Sequence, residues 1–448
     1  MRAIRVFRQL IDAGLLEIGD GYRAKNAELG GSGPIFLRSA YLQDSGFVEN
    51  MPERFKETDI VGFGAKVAQS GDVVITTKGN STGRVGVIRD PQIGAVYSPH
   101  LSYWRSKDAT TLDQGFLQVW SSSPEFRTQL SGRAYSTDMA PYLSLRDQLS
   151  LSISLPPLPE QRAIASVLSA LDDKIELNRR MNGTLERQAR ALFRDWFVDF
   201  GPTRAKMALS GTATKNEQTR DAPYLAPEIW SLFPDRLDDD GVPEGWESES
   251  VIEQAEWING AAYKNMHFDK APDALPVIKI AELKAGVTQK TKWTNTALGD
   301  KYRISDGELL FSWSGNPDTS IDTFIWTGGD AWLNQHIFAV RSNGTRSPAF
   351  LYTMLKWLKP EFAEIARNKQ TTGLGHVTKQ DLKRLKVHIA SNELLEEFEA
   401  LVGPIHARMR ANLFESGTLA QTRDLLLPKL MSGEIRMREA EQIAEAVL

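Results

Sequence analysis

The chain has 448 residues and a mass of 50.0 kDa, enough for two or three globular units of about 100–200 residues each. Its 53 Lys and Arg stand against 57 Asp and Glu, a net charge of −4 that argues against a wholesale polyanion binder. With no cysteine there is no disulfide scaffold, thiolate-held metal or thiol catalysis. No run approaches the roughly 18 apolar residues of a membrane span and no signal peptide opens the chain, so a cytoplasmic location is expected.

In chain order, glycines at 30, 31, 33, 62 and 64 mark turns and loops. Val73–Thr77, a short apolar run bounded by glycine, predicts a buried strand, and Phe116–Leu130 predicts a helix. Leu155-Pro156-Pro157-Leu158-Pro159 stops a strand and starts a helix, since proline is tolerated in a first turn. From there Ile164, Leu168, Leu171, Ile175, Asn178, Asn182, Leu185, Ala189, Leu192 and Trp196 step alternately by four and three, a heptad seam. Gly201–Gly241, rich in Ser, Thr, Asp and Pro, reads as a linker with a short ordered piece around Ile229–Phe233. Leu309–Trp313 predicts a second buried strand and Ala349–Arg367 a second helix. A second seam follows through Phe398, Val402, Ile405, Met409, Asn412, Ser416, Leu419, Arg423, Leu426 and Leu430.

These elements repeat. At a shift of 236 positions Gly71-Asp72-Val73-Val74-Ile75 falls on Gly307-Glu308-Leu309-Leu310-Phe311, His100 on His336 and Arg105-Ser106 on Arg341-Ser342. At a shift of 234, Asp147 meets Asp381 and the register holds to Leu192 on Leu426. Such self-similarity predicts a tandem duplication of one mixed globular domain followed by one helical segment. The expected segments are a first globular half 1–155, a helical region 156–200, a linker 201–242, a second globular half 243–390, a helical region 391–438 and a tail 439–448. Two stripes with polar residues at matching places favour pairing with each other over packing on separate cores. Antiparallel pairing would set Asn178 and Asn182 opposite Ser416 and Asn412, a polar layer that costs stability and fixes register.

Catalytic signatures are missing. Gly30-Gly31-Ser32-Gly33 lacks the Lys-Ser/Thr ending of a phosphate loop and reads as a turn. Gly62-Phe63-Gly64 resembles part of a cofactor loop, but no Asn/Asp-Pro-Pro-aromatic tetrapeptide accompanies it. Neither Gly-x-Ser-x-Gly nor His-Glu-x-x-His occurs, and the six histidines show no i,i+4 pair suited to a metal. His100 and His336 are expected as partly buried residues capping strands, with direct ligand contact the less favoured reading. By segment, 1–155 holds 17 basic and 16 acidic residues and 243–390 holds 18 and 17, whereas 391–448 holds 6 and 10. The small basic excess therefore lies in the globular halves.

The run Pro159-Glu160-Gln161-Arg162-Ala163-Ile164-Ala165, continuing Leu171-Asp172-Asp173-Lys174-Ile175-Glu176-Leu177-Asn178, resembles the central region of type I restriction–modification DNA specificity subunits. So do Ala191-Leu192-Phe193 with Trp196-Phe197-Val198-Asp199-Phe200, and Leu425 to Ile435 at the far end. The resemblance implies an α+β chain, with two target-recognition domains separated by two long helices that pair as an antiparallel coiled coil. It implies a non-catalytic subunit that reads a bipartite site in double-stranded DNA, one domain per half-site. Its partners would be modification (methyltransferase) subunits and, where present, restriction subunits. S-adenosylmethionine, ATP and Mg would sit on those partners, with no cofactor, metal or membrane for this chain. Candidate DNA-facing residues are Lys25, Arg38, Lys78, Asn80, Arg84 and His100 in the first half, and Lys264, Lys279, Ser314, Asn316, His336 and Lys369 in the second. The competing reading is a duplicated ligand- or protein-binding scaffold with a coiled-coil arm and no nucleic-acid role. A stand-alone enzyme is disfavoured by the motif search.

Overall fold

The computed structural model describes residues 3–43, 46–48, 50–79, 81–134, 141–211, 224–269, 271–288, 290–370 and 374–448. Two compact units form: Met1–Glu176 with Thr418–Leu448, and Leu177–Gly417. Each unit takes one globular half and one part of each long helix, so contacts cut the chain differently from the linear segments expected of the sequence.

In the first unit, strands β1 (Leu16–Asp20), β2 (Val73–Thr76), β3 (Val85–Val87) and β4 (Leu101–Ser106) form an antiparallel sheet in the order β1-β4-β2-β3. Val73, Val74 and Ile75 are wholly buried, which is why a continuous apolar run rather than an alternating one encodes β2. A lesser parallel pair, Phe36–Leu37 with Val96–Tyr97, flanks this sheet, and Ala3–Val6 pairs antiparallel with Ser152–Leu155. Helix α1, Leu158–Phe197, starts where the prolines predict. Its buried Gln161 side chain accepts from Asp113 N–H (2.9 Å) and donates to the Thr111 and Pro156 carbonyls (3.0 and 2.9 Å). The first turn of the helix is thereby fastened to its domain.

The second unit repeats the plan with β5 (Glu256–Asn259), β6 (Leu309–Ser312), β7 (Asp322–Ile325) and β8 (Ile337–Arg341), ordered β5-β8-β6-β7 and again all antiparallel. Leu275–Ile278 runs parallel to Ala331–Leu333, and Glu247–Ser250 pairs with Lys386–Ile389. The duplicated salt bridge survives too: Arg105 grips Asp72 at 2.7 and 2.6 Å, and Arg341 reaches Glu308 at 2.8 Å. Both tie the central strand to the loop that precedes its neighbour.

Helix α2 is Asn392–Ser432. It ends at Gly433, whose φ of 77° supplies the left-handed residue that closes a helix at least cost. In the second unit α1 and α2 run antiparallel. Phe398 of α2 packs on Phe193, Trp196 and Phe197 of α1, while Asn182 meets Met409 and Asn412, and Asn178 meets Asn412, Glu415 and Ser416. Full burial of side chains such as Trp196 and Phe398 contributes about 1.5–3 kcal/mol each. The Asn412 amide donates to Asn182 Oδ1 at 2.8 Å, Asn182 Nδ2 donates to the Met409 carbonyl at 3.2 Å, and Asn178 Nδ2 lies 3.3 Å from Ser416 Oγ. In the first unit Ile164, Leu168 and Leu171 share a core with Leu419, Leu426 and Leu430, and Arg423 pairs with Asp172 at 2.7 Å.

Three expectations need correction. The helices expected over Phe116–Leu130 and Ala349–Arg367 are each broken in two, Gln114–Trp120 with Pro124–Ala134 and Pro348–Trp357 with Lys359–Asn368. Proline has no N–H to donate and clashes with the preceding turn, so Pro124 opens a new helix and Pro360 lies in the first turn of another. The segment read as a linker carries helices Gly201–Leu209 and Pro227–Leu232 and buries Ala205, Ala208 and Phe233. Residues 439–448 are no plain tail, since helix Met437–Glu445 buries Ala440 and Ala444 in the first unit's core.

A part-buried charge network braces the second unit. Lys356 Nζ lies 2.9 Å from Asp322 and 3.2 Å from Glu186 of α1, Lys359 Nζ lies 2.6 Å from Asp322, and Tyr352 donates to Glu186 at 3.0 Å. Burial by itself raises the Asp322 carboxyl, but the two lysines outweigh it and hold it below the usual carboxylate range. On α2, burial, helped by Arg410, pushes the His406 imidazole down to about 4, with Nε2 lacking a hydrogen-bond partner among the described residues. An unfolded histidine protonates near 6.5, so the unfolded chain takes up the proton first on acidification. The second unit is therefore expected to lose about 3 kcal/mol as pH falls from 6.5 to 4. Urea denaturation across that range, compared with His406→Phe, checks it: the substituted chain should show a shallower pH dependence.

Candidate nucleic-acid interface

Most of the candidate residues gather at one end of each four-stranded sheet. There β1 finishes at Asp20, β2 finishes at Thr76, β3 begins at Val85 and β4 begins at Leu101. The loops that follow or precede them carry Lys25, Lys78, Arg84 and His100. In the second unit the same end carries Lys264, Ser314, Asn316 and His336 beyond β5, β6 and β8.

One backbone frame builds both ends. Thr77 N–H donates to the His100 carbonyl (2.9 Å) and Trp313 N–H to that of His336 (3.4 Å). The Thr77 carbonyl accepts from Leu143 and the Trp313 carbonyl from Val377, at 2.9 and 2.8 Å. Lys78 bridges Tyr142, as Ser314 pairs with His376. Gly21 and Gly260 lie where a Cβ would sit 2.1 Å from the Ser98 carbonyl oxygen and 2.2 Å from that of Asn334, a close approach that only glycine permits. Each glycine leads into a one-turn 3₁₀ helix preceded by lysine, Asn26–Glu28 after Lys25 and Asn265–His267 after Lys264. The duplication thus extends well ahead of Gly71, at a spacing altered by insertions that break a constant-shift comparison.

The candidates divide on inspection. Lys25, Lys78, Lys264, His100, His336 and Asn316 are exposed. The histidines are thus not the partly buried strand caps expected; their carbonyls, rather than their rings, serve the frame. Asn316 Oδ1 accepts from Asp318 N–H, Thr319 N–H and the Thr319 hydroxyl at 3.0–3.1 Å, so it organises its own loop. Ser314 is half-buried in the short ladder with His376. Arg84 donates to the Leu42 carbonyl at 2.9 Å. Arg38 is paired with Glu53 and lies over Phe36, and Lys369 is held by the buried carboxylate of Asp381 at 2.5–2.6 Å. Lys279 lies over the Phe268 ring. These last four are engaged in structure. Asn80 lies outside the described residues.

Sequence reading passed over Asn259, Trp313 and Gln335, which stand at the second sheet end beside His336. Trp313 Nε1 donates to Asn259 Oδ1 at 2.9 Å, its ring centroid is 5.4 Å from that of His336, and Gln335 Nε2 lies 3.3 Å from His336 Nε2. A polar, aromatic edge with exposed lysines suits contact with base edges and phosphates. Among the described residues no group of three His, Asp or Glu side chains is arranged to hold a metal, and no helix is long and apolar enough to cross a membrane.

The family model agrees with the duplicated plan. The profile of the type I restriction modification DNA specificity domain matches twice, over residues 34–187 and 243–393. A type I restriction enzyme HindI specificity subunit from Haemophilus influenzae is 28% identical over 330 residues, covering 66% of this chain and 71% of that one. The MjaIX specificity subunit from Methanocaldococcus jannaschii is 27% identical over 300 residues, covering 64% of this chain and 62% of that one. A crystal structure of the type I restriction–modification S subunit from M. genitalium aligns over 96% of both chains at 13% identity with a TM-score of 0.49. The chain belongs to the type I restriction–modification DNA specificity family.

Lys25 and Lys264 occupy matching positions. A lysine that neutralises a phosphate releases a counterion, so removing either should weaken DNA binding at every sequence and flatten the plot of log affinity against log salt by about 0.9. Titration of labelled duplex with the assembled complex at several salt concentrations gives the slope for Lys25→Ala and Lys264→Ala; an unchanged slope removes that lysine from the interface.

Proposed function

We propose that this chain is the DNA-reading subunit of a modification complex, each sheet end reading one half of a bipartite double-stranded site. The observation that carries the proposal is the duplicated frame. Two domains hold the same backbone bonds at the same sheet end but present different side chains, as two related readers of different half-sites require. Neutral domains bring few phosphate contacts, so affinity in this reading depends on assembly with methyltransferase subunits. Methyl transfer and S-adenosylmethionine then belong to those partners, ATP and Mg to any restriction subunit, and the complex works in the cytoplasm. The scaffold alternative has no observation of its own to favour it.

Exchange of residues 1–155 for the corresponding domain of another family member tests independence. Sequencing of methylated bases in cells that carry the complex should show one altered half-site and one unchanged. A change in both halves counts against one domain per half-site.

The amide layer supplies a second test. In this reading the register of α1 against α2 sets the spacing between half-sites. Apolar heptads alone tolerate sliding, whereas the amide pair is satisfied in one register. Replacing Asn178, Asn182 and Asn412 together by Leu removes two buried amides and one half-buried amide, including an Asn178 Oδ1 with no partner among the described residues. Thermal stability should rise by several degrees while the methylated sites acquire more than one spacer length. A single sharp spacer with no gain in stability would show that the layer sets no register.

A further inference from the structure

The second sheet end holds a pair that the first lacks. Asn259 ends β5 with an exposed side chain, and Trp313 follows β6 with its peptide clamped on both sides by His336 and Val377. The Trp313 ring packs against Phe338 at 5.9 Å and His336 at 5.4 Å, which fixes where its N–H points. That N–H meets Asn259 Oδ1 at 2.9 Å. An indole nitrogen only donates, so the amide must turn its oxygen inward and its NH₂ outward. Nδ2 has no partner among the described residues. At the matching places the first unit has Asp20, paired with Lys66 at 3.4 Å, and Thr77, whose side chain is buried.

We propose that Asn259 reads a hydrogen-bond acceptor on a base edge of the second half-site, and that Trp313 is its positioning residue. The proposal rests on the DNA-reading function and names one contact within it. An amide that offers only N–H groups seeks purine N7, guanine O6 or thymine O4. The usual two-pronged pairing of asparagine with adenine also calls on the amide oxygen, which here is engaged by the indole. Asn259 thus contributes a donor-only reading at one base pair, with no counterpart in the first half-site.

The test uses the full chain assembled with its methyltransferase subunits, read out by sequencing methylated bases. Asn259→Asp keeps the shape and the bond from Trp313 but replaces the outward NH₂ with oxygen. It is expected to lower discrimination at one base pair of the second half-site about tenfold or more, and to shift preference toward a base that presents an amino group. Trp313→Phe keeps a ring in place and frees the amide to turn, so the same base pair should become degenerate. The first half-site should be unchanged in both. If both variants methylate the unaltered sequence with undiminished selectivity, the proposal is wrong while the DNA-reading function stands. If the unsubstituted complex yields no bipartite methylated motif, the functional reading fails and this contact with it. Asn259 is exposed, so the aspartate variant tests the contact without disturbing a core.

Discussion

A hydrophobic seam has no memory of position: Leu against Leu packs about as well one heptad along as in place. In the paired helices that degeneracy is broken by the hydrogen bond from the Asn412 amide to Asn182 at 2.8 Å, with Asn182 on the Met409 carbonyl and Asn178 beside Ser416. Displaced by a heptad, those amides would lose these partners, each at a cost of about 1–3 kcal/mol. The aromatic cluster of Phe193, Trp196, Phe197 and Phe398 then has one place to form. Glu186 on the same helix has one place to meet Lys356, which carries the second domain's helix Pro348–Trp357. The fold of the second unit follows from that alignment.

The two domains show what duplication keeps and what it releases. Strand order, the Arg105–Asp72 and Arg341–Glu308 bridges, the close-approach glycines and the backbone bonds at the sheet ends are held in common. The part-buried network of Lys356, Lys359, Asp322 and Glu186 is not: the positions matching Lys356 and Lys359 hold Trp120 and Ser123. The first domain instead packs Trp120 with Phe7, Trp104 and Phe126. One copy therefore braces its helices with dispersion and the other with paired charge.

Long periodic features were legible in the sequence because many residues vote for each. The two seams, the duplicated strands at Val73 and Leu309 and the proline-led start of α1 all recur in the structure. Helix breaks at Pro124 and Pro360 were legible in principle and were lost by giving periodicity more weight than the missing N–H. The sheet ends were harder. Nothing in a linear reading separates Lys78, exposed on its loop, from Lys369, held by buried Asp381, since both are lysines in polar surroundings. Asn259 and Trp313 are far apart in the chain and meet only through the β5-β8-β6 strand order.

The first unit is assembled from both ends of the chain, Met1–Glu176 and Thr418–Leu448, whereas Leu177–Gly417 is continuous. On the ribosome this inverts the usual order of maturation. The unit whose residues emerge first must wait with Ile164, Leu168 and Leu171 uncovered until Leu419, Leu426 and Leu430 are made. Loss of Thr418–Leu448 would therefore strip part of the core from a domain whose other residues lie far away along the chain.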